Sequence, residues 1–292
     1  MIKKSIFITF LLSSFFTLKS SAQDMMDLFA DSTPQTNITY ATFKTTRIVN
    51  SQSIENPAKG VLLFMISHHF GEINQGAYEF WGLDQSTIRL GFEYGVSNRL
   101  AIGVGRSSYH KNVDGFLKFK LIRQQTGKKS VPLSVSYFGS FACNGLNWDD
   151  PDRENYFTSR LAYTHQLFIA RKFNDNLSLQ ITPTLIHTNL VPTTEAYNDI
   201  FALGFGGRYK LTKRLAFNFD YIYVFPKYAI EGTYNSLAVG FDIETGGHVF
   251  QIHLTNSTGM YEKAFITETT SSWKDGSIRL GFNISRVFTV AK

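Results

Sequence analysis

One histidine in a predicted strand could act as the general base of a hydrolase. His165 lies beside Tyr163 and Leu167, on the apolar parity of its segment. Histidine can serve as the general base for a serine nucleophile when the serine is within hydrogen-bond reach and an acid or amide orients the ring. The sequence contains no Gly-x-Ser-x-Gly elbow. Packing beside tyrosines is the alternative role, so we expect no enzyme, with a lipid hydrolase as the remaining catalytic hypothesis.

Two groups of side chains could bind a metal ion, but neither matches a known ligand spacing. Four histidines fall near the loop ends of predicted strands: His68, His69, His110 and His187. Four carboxylates lie close together in one predicted loop: Asp149, Asp150, Asp152 and Glu154. Adjacent histidines on a strand point to opposite faces, and the acidic run lacks a complete loop-spaced ligand set for calcium. We therefore predict no metal site and a solvated acidic loop.

Cofactor, disulfide and nucleic-acid chemistry have no support in the sequence. The chain has no phosphate-cradling loop, dinucleotide fingerprint or Cys-x-x-Cys pair. Cys143 is the only cysteine, so no intramolecular disulfide can form, and no cysteine lies near the N-terminus to carry a lipid. Positive charges are interspersed with negative ones, which predicts no nucleic-acid partner. We expect no cofactor.

The segments that must position these side chains alternate between apolar and polar residues with a period of two. In 216–225, Phe217 and Phe219 fall on one face while Asn218 and Asp220 fall on the other. The same alternation recurs in two further segments, 88–96 and 278–284. Such a pattern is typical of strands with one face in lipid and the other in a polar interior. The chain is also rich in Phe (27) and Tyr (14) with only 7 Pro, which favours a barrel over a soluble fold.

Counting the segments predicts twelve strands in an antiparallel up-and-down transmembrane β-barrel. The strands are predicted to begin near 61, 86, 100, 112, 131, 157, 177, 200, 215, 235, 248 and 276. Short turns are predicted at 97–99, 126–129, 174–176, 212–214 and 244–247. Longer loops are predicted at 71–85, 107–111, 144–156, 188–199, 226–234 and 257–275. Since turns and loops alternate, we expect all turns at one mouth, in the periplasm, and all loops at the other, outside the cell. All three tryptophans fall in the loops, where an interfacial belt or a carbohydrate-stacking surface would place them.

The polar parity of the predicted strands gives a candidate lumen lining. Its charged members are Arg89, Glu93, Lys118, Lys120, Arg160, Arg208, Asp220, Asp242 and Arg279. Basic groups outnumber acidic groups in this set, and positive side chains lining a pore favour anions. The sequence therefore supports a small, anion-leaning passive channel for small solutes. The alternative is a closed barrel filled by its own paired side chains, with a structural role or a role in binding glycans or proteins at the surface.

The segment 37–59, before the first predicted strand, decides between pore and plug. It alternates only weakly and carries Arg47, Asn50 and Glu55, whose polar groups could pair with the wall. A thirteenth strand would break the even strand count. We keep three hypotheses open for this segment: a periplasmic tether, an arm that covers an edge, and a lumenal plug.

The N-terminus predicts export. Residues 1–22 have early lysines, an apolar run from Ile6 to Leu18 and small residues before a cut after Ala22, which is the pattern of a signal peptide. Loss of its three lysines lowers the formal charge from +6 to about +3. We expect an N-terminal segment over 23–60 and a barrel over 61–292, integral to the cell outer membrane. The expected partners are outer-membrane lipid, lipopolysaccharide and the barrel-assembly machinery; the oligomeric state is open.

Several stretches resemble one family. They are 41–50 (ATFKTTRIVN) with Ser53 and Glu55, Lys59-Gly60, 66–71 (ISHHFG) and 89–95 (RLGFEYG). Together they resemble an uncharacterised β-barrel family of Bacteroidota, catalogued as domain of unknown function 5777, over about 40 to 290. The resemblance implies a porin-like outer-membrane barrel and brings no catalytic motif. His69 stands where the family leads us to expect an arginine, which changes the charge at that strand end.

Overall fold

Alternating residues form long antiparallel strands in the computed structural model of the protein, which describes residues 35–245 and 248–291. The elements are β1 (Asn37–Ile38), β2 (Val61–Glu72), β3 (Ser86–Gly95), β4 (Leu100–Ser107), β5 (Val113–Ile122), β6 (Gln125–Thr126), β7 (Ser134–Cys143), β8 (Leu161–Lys172), β9 (Leu177–Thr188), β10 (Asp199–Lys210), β11 (Leu215–Val224), β12 (Leu237–Thr245), β13 (His248–Thr255), α1 (Glu262–Thr267) and β14 (Arg279–Thr289). The predicted signal peptide lies outside the described residues, as do Gly246 and Gly247 of a predicted turn.

Twelve of these strands form one closed antiparallel barrel, which confirms the predicted fold class. Each barrel strand pairs with its neighbours in chain order, and β14 pairs back onto β2 from Thr289 opposite Val61 to Arg279 opposite Glu72. Closure leaves no strand edge with unpaired backbone groups, which is the condition for a sheet in lipid. Among the described residues, no helix is both long enough and apolar enough to span a membrane.

The two faces of the strands differ as the sequence alternation predicts. In β11, Asn218 and Asp220 are buried inside the barrel, whereas the aromatic rings of Phe217 and Phe219 belong to the outer face. Large apolar side chains are exposed around the outside, among them Phe92, Phe205, Phe241 and Ile252. An apolar exterior around a polar interior is the arrangement expected of a barrel in a bilayer.

Connections of different length lie at the two mouths. The mouth that we name the turn end carries the connections 96–99, 123–133, 173–176 and 211–214. The opposite mouth, the loop end, carries 73–85, 108–112, 144–160, 189–198, 225–236 and 256–278. At the turn end, the short strands β1 and β6 pair with each other and fix the chain before it enters the barrel.

The chain from Thr42 to Glu55, named here the N-terminal insert, folds inside the lumen from the turn end. It forms a tight hairpin, in which Ile48 N–H donates to Ser51 O at 2.8 Å and Ser53 N–H donates to Thr46 O at 2.8 Å. Its apolar side chains pack on inward-facing aromatic residues of the wall: Phe43, Ile48, Val49 and Ile54 against Phe116, Phe138 and Phe168. The segment therefore lies in the lumen, where the plug hypothesis places it.

Residues 256–272, named here the loop insert, fill the lumen from the opposite mouth. The sequence predicted an external loop over 257–275, and that prediction is wrong for most of the segment. Met260, Tyr261, Phe265 and Ile266 are each at most 2% exposed because α1 folds down into the barrel. The helix packs on the inner wall, where Phe265 and Ile266 contact a cluster of aliphatic residues: Ile186, Ile200, Ala202, Ile222 and Val224.

Candidate functional site in the lumen and at the loop end

A single carboxylate of the wall binds the tip of the N-terminal insert. Oδ2 of Asp220, on β11, accepts backbone N–H bonds from Val49 at 3.2 Å, Asn50 at 2.8 Å and Ser51 at 2.9 Å. Successive N–H groups that converge on one point make a concave site for an anion. Asp220 therefore satisfies three backbone donors that the hairpin tip cannot pair by itself.

A buried lysine on the opposite wall binds the returning half of the hairpin. The ammonium of Lys118, on β5, donates to Gln52 Oε1 at 3.0 Å, Ser53 O at 3.0 Å and Glu55 O at 2.9 Å. The side chain of Lys118 is fully buried, so these oxygen atoms replace its water shell. Beside it, Lys120 pairs with the Glu55 carboxylate at 3.4 Å. Lysines predicted to face solutes therefore face the insert.

Side-chain amides of three further strands complete the binding of the insert. Each donates to a backbone carbonyl of the hairpin: Gln251 to Ile48 O at 2.6 Å, Asn283 to Val49 O at 3.1 Å and Gln180 to Gln52 O at 2.9 Å. Gly206 on β10 gives the tip room, since a Cβ atom there would lie 2.4 Å from Ile48 Cδ1. The insert is thus held from several sides by groups that match its backbone.

The two inserts meet in the middle of the barrel. Arg47 Nη2 lies 4.0 Å from Glu262 Oε1, and both side chains are 3% exposed. Arg47 Nη1 donates to Asn50 O at 2.6 Å, but the other two guanidinium nitrogens and Glu262 Oε1 have no hydrogen-bond partner among the described residues. Burial lowers the pKa of Arg47 and raises the pKa of Glu262. The contact between the inserts is therefore an incompletely satisfied ion pair.

The remaining charges predicted for the lumen are mostly paired. Arg89 forms a two-bond ion pair with Asp114, Arg208 contacts Glu244 at 3.1 Å and Asp242 at 3.8 Å, and Arg279 contacts Glu72 at 2.9 Å. Glu93 is buried, and its Oε2 has no partner among the described residues. The expected excess of basic groups is wrong because Glu55, Glu72, Asp114 and Glu262 also face the interior.

Arg160 does not line the lumen, which corrects its predicted place. The strand β8 begins only at Leu161, and Arg160 ends a short 3-10 turn at the loop end. Its guanidinium lies 3.8 Å from the ring centre of Trp148 and donates to the carbonyls of Asn144 and Leu146. The residue stabilises the connection between β7 and β8.

The histidines are dispersed over the barrel. His69 and His253 face the lumen with their Nε2 atoms 3.0 Å apart, while the ring of His68 stacks on Phe282 at the lipid face. At the loop end, His187 contacts Asp199 at 2.8 Å. Within the described part of the chain, no group of three His, Cys, Asp or Glu residues could hold a metal ion.

His165, the candidate base of a hydrolase, bonds to a tyrosine. Its Nδ1 lies 2.7 Å from the hydroxyl of Tyr137, on the lipid face of β7 and β8. A hydrolytic triad would need a nucleophilic hydroxyl and an orienting group on the two ring nitrogens. Here a phenol occupies Nδ1, which is the position where an orienting group would bind.

An open cleft of about 440 Å³ lies at the loop end, above the loop insert. Tyr109, His110 and Tyr197 line it together with Lys263 and Glu268 of the insert. Further lining comes from aliphatic residues, hydroxyls and one more carboxylate: Thr188, Leu190, Val191, Pro192, Ile200, Ile230, Glu231, Thr233, Thr267 and Thr270. The cleft was not predicted because its floor is a segment that the sequence pattern assigned to an external loop.

The polar groups of the cleft have defined protonation states at neutral pH. Burial, with the nearby Glu268 carboxylate, raises the pKa of Tyr109 to about 12, so its hydroxyl remains a hydrogen-bond donor. Burial lowers the pKa of His110 although its Nδ1 lies 3.6 Å from Glu268 Oε2, so the ring is neutral. Lys263 and Glu268 form an ion pair. The cleft offers aromatic faces, hydroxyls, the Lys263 ammonium and the carboxylates of Glu231 and Glu268.

A family model described as a membrane bound beta barrel domain (DUF5777) matches residues 43–288. The chain belongs to this family. The match begins inside the N-terminal insert and runs through the loop insert, so both inserts are part of the DUF5777 domain. No curated protein matches the chain.

Solved outer-membrane barrels are similar to this DUF5777 member at low sequence identity. The NanC porin, in a rhombohedral crystal form, has 9% identity and a TM-score of 0.49 over 78% of this chain and 98% of that chain. The KdgM porin has 10% identity and a TM-score of 0.44 over 79% and 99%. An active-site mutant of outer membrane phospholipase A from Escherichia coli has 12% identity and a TM-score of 0.45 over 79% and 91%. Likeness at this distance does not assign a function.

Proposed function

We propose that this DUF5777 member is an outer-membrane barrel whose lumen is closed at rest and which binds a small saccharide in the loop-end cleft. The meeting of the two inserts at Arg47 and Glu262 carries the proposal, because it separates the loop-end cleft from the turn end, where a second cavity of about 610 Å³ lies beside Phe43 and Lys44. The barrel supports the insert, and the insert forms the floor of the binding site.

The orientation follows from the order of the connections. Bacterial barrels have short periplasmic turns and longer external loops. On that basis the loop end faces the cell exterior, and the turn end, with the β1–β6 ribbon, faces the periplasm. A signal peptide over 1–22 supports the same location. A cleft at the loop end is then open to molecules outside the cell.

The dimensions and lining of the cleft favour a small, hydroxyl-rich ligand. Small-molecule pockets measure about 300–1,000 Å³, whereas a stable protein partner needs roughly 800 Å² of surface on each side. The cleft has 440 Å³ and combines tyrosine rings with threonine hydroxyls and a Lys263–Glu268 pair. Aromatic rings can stack on the apolar face of a sugar while the polar groups bond its hydroxyls.

Binding to immobilised oligosaccharides by the purified, folded protein tests the cleft. We expect Tyr197→Ala to lower binding about tenfold, the effect of losing one aromatic contact. Tyr78→Ala is the matched control, because Tyr78 is a loop tyrosine that is 92% exposed and does not line the cleft. Equal binding by wild type and Tyr197→Ala would exclude the cleft, and binding of a protein but of no saccharide would reassign its ligand.

Planar-bilayer recordings of the full-length protein test the closed lumen. We expect no ion steps at rest, since the inserts fill both halves and the basic residues of the wall are paired with carboxylates or with the N-terminal insert. Steady, anion-selective steps would instead favour the passive channel. The hydrolase hypothesis has its own assay, because phospholipid turnover that is lost in His165→Ala would support it.

A further inference from the structure

An open apolar groove runs along the lipid face of the barrel across β4, β5, β7 and β8. Its volume is about 860 Å³. Its walls are almost entirely hydrocarbon and include Ile102, Val104, Leu117, Phe141, Phe157 and Leu161. Most outward positions of neighbouring strands carry large side chains, so this groove is a depression in an otherwise filled surface.

Two outward-facing glycines form the floor of the groove. Gly115 pairs with Val104 and Phe141, and Gly139 pairs with Leu117 and His165, all on the lipid face. A Cβ atom at Gly139 would lie 3.0 Å from the Tyr137 hydroxyl, so a larger residue there would fill the floor. The groove therefore depends on residues that have no side chain.

The two ends of the groove differ chemically. Toward the turn end, it closes at the hydrogen-bonded Tyr137–His165 pair, whose polar atoms satisfy each other at 2.7 Å. Toward the loop end, Arg106 lies on the same face of β4, two residues above Val104 and paired with Val113. Arg106 is exposed, and it belongs to none of the ion pairs among the described residues. Its Nη1 donates to Ser107 O at 2.7 Å and to Asn112 O at 3.2 Å, so Nε and Nη2 are the groups that a ligand could engage.

The length of the groove matches one leaflet of a bilayer. From Tyr137 to Cys143, β7 rises about 20 Å along the strand. A strand tilt of about 40° reduces this to roughly 15 Å along the membrane normal, half of the ~30 Å hydrocarbon core. A single acyl chain that enters at the loop end would therefore end near the Tyr137–His165 pair.

We propose that this groove is a binding site for an acyl chain of lipid A, with a lipid A phosphate at Arg106. Guanidinium groups bind phosphate through charge-assisted, bidentate hydrogen bonds, and the glycine floor accommodates the chain. The choice of lipid A rests on the proposed orientation, which places the loop end in the outer leaflet. The β7–β8 connection at the same end carries the carboxylates of 149–154, which would repel a phosphate. Attraction of the phosphate therefore depends on Arg106.

Native mass spectrometry of the full-length protein in detergent tests the site with three added lipids. These are diphosphoryl lipid A, its dephosphorylated form and phosphatidylglycerol. We expect the wild-type protein to retain one molecule of diphosphoryl lipid A. Arg106→Gln should retain this lipid about tenfold more weakly, which is the effect of losing one charged hydrogen-bond pair. The wild-type protein should retain the dephosphorylated lipid more weakly by a similar factor. Gly139→Leu should abolish retention by filling the floor.

Matched variants keep the result independent of folding. Gly207→Leu alters a lipid-facing glycine of β10, and Arg171→Gln removes an exposed arginine at the turn end of β8. Both should retain lipid A as wild type does. Leu117→Trp, which fills the groove from its wall, replaces Gly139→Leu if that variant lacks the heat-dependent gel shift of a folded barrel.

Three outcomes would overturn the proposal. Unchanged retention in Gly139→Leu and Leu117→Trp would exclude the groove. Equal retention of the two lipid A forms, or no loss in Arg106→Gln, would exclude the phosphate contact. Tighter retention of phosphatidylglycerol than of lipid A would assign the groove to another lipid. Because saccharide binding in the cleft and ion conductance are measured separately, failure here leaves the proposed function testable.

Discussion

The two inserts occupy the same lumen but are bound to its wall by different groups. The N-terminal insert is an irregular hairpin bound through its backbone, by the Asp220 carboxylate, the Lys118 ammonium and three side-chain amides. The loop insert contains a short helix and is bound mainly through apolar side chains, chiefly Phe265 and Ile266 on the inner wall. The wall around the hairpin therefore supplies polar partners as well as aromatic contacts, whereas the wall against α1 is aliphatic.

The difference follows from where each segment pairs its backbone. Inside α1, Phe265 N–H donates to Tyr261 O at 3.1 Å and Glu268 N–H donates to Ala264 O at 2.9 Å, so the wall can be hydrocarbon. The hairpin tip leaves N–H and C=O groups that need partners, and an unpaired buried group costs about 1–3 kcal/mol. A wall that faces irregular backbone must supply donors and acceptors.

Removal of both inserts should have the largest effect, because they close the lumen in series. Deletion of 37–58 alone leaves the loop insert in place, and shortening of 257–271 alone leaves the hairpin in place. We expect ion steps in planar bilayers for the double deletion and little conductance for either single deletion. Full conductance after deletion of 37–58 alone would show that the loop insert does not seal the barrel.

Asp220→Ala should release the N-terminal insert. The substitution leaves three buried N–H groups without their acceptor and should cost roughly 3–5 kcal/mol, as for breaking a buried charged network. Limited trypsin cleavage after Lys44 or Arg47 measures the release. Asp199→Ala is the control, since Asp199 bonds to His187 at the loop end and does not contact the hairpin. Equal protection of the insert in Asp220→Ala and wild type would contradict this account.

Phe265→Ala should loosen the loop insert and leave the hairpin in place. Loss of a fully buried phenyl ring costs about 3 kcal/mol, because it removes burial and leaves a cavity. Hydrogen exchange of 256–272 should accelerate, while that of 42–55 stays unchanged. Phe250→Ala serves for comparison, because Phe250 is 38% exposed on the lipid face. Acceleration in both inserts would show that they unfold together.

Rising pH should loosen the loop insert by the smallest of these effects. Burial raises the pKa of Glu262 above its usual 4.5, so the closed state binds more protons than the open state. The stabilisation from this group is complete below pH 4.5 and is lost as pH rises through the raised pKa. Hydrogen exchange of 256–272 should therefore quicken with pH, and Glu262→Gln should remove that dependence. A pH dependence that persists in the variant would point to another group.

The barrel wall could be predicted from the sequence, whereas its contents could not. Residues 216–225 alternate strictly because lipid and lumen impose different side chains, and β11 spans Leu215–Val224. Segment 37–59 alternates weakly because, beyond β1, it is neither strand nor helix, so its position depends on partners that are distant in sequence, such as Asp220. Loop insert residues were assigned to an exterior loop because a period-two pattern carries no signal for a short helix that folds inward.

The closure of β14 onto β2 has a consequence for the order of assembly. The N-terminal insert is synthesised before the barrel strands, but its hydrogen-bond partners lie on β5, β9, β11, β13 and β14. The barrel closes between β14 and β2, and β2 is the strand that follows the insert in the chain. The hairpin cannot dock until the last strands arrive, and once the seam closes it is enclosed. The final pairing of the sheet is therefore the step that traps the plug, so the first residues of the domain reach their native contacts last.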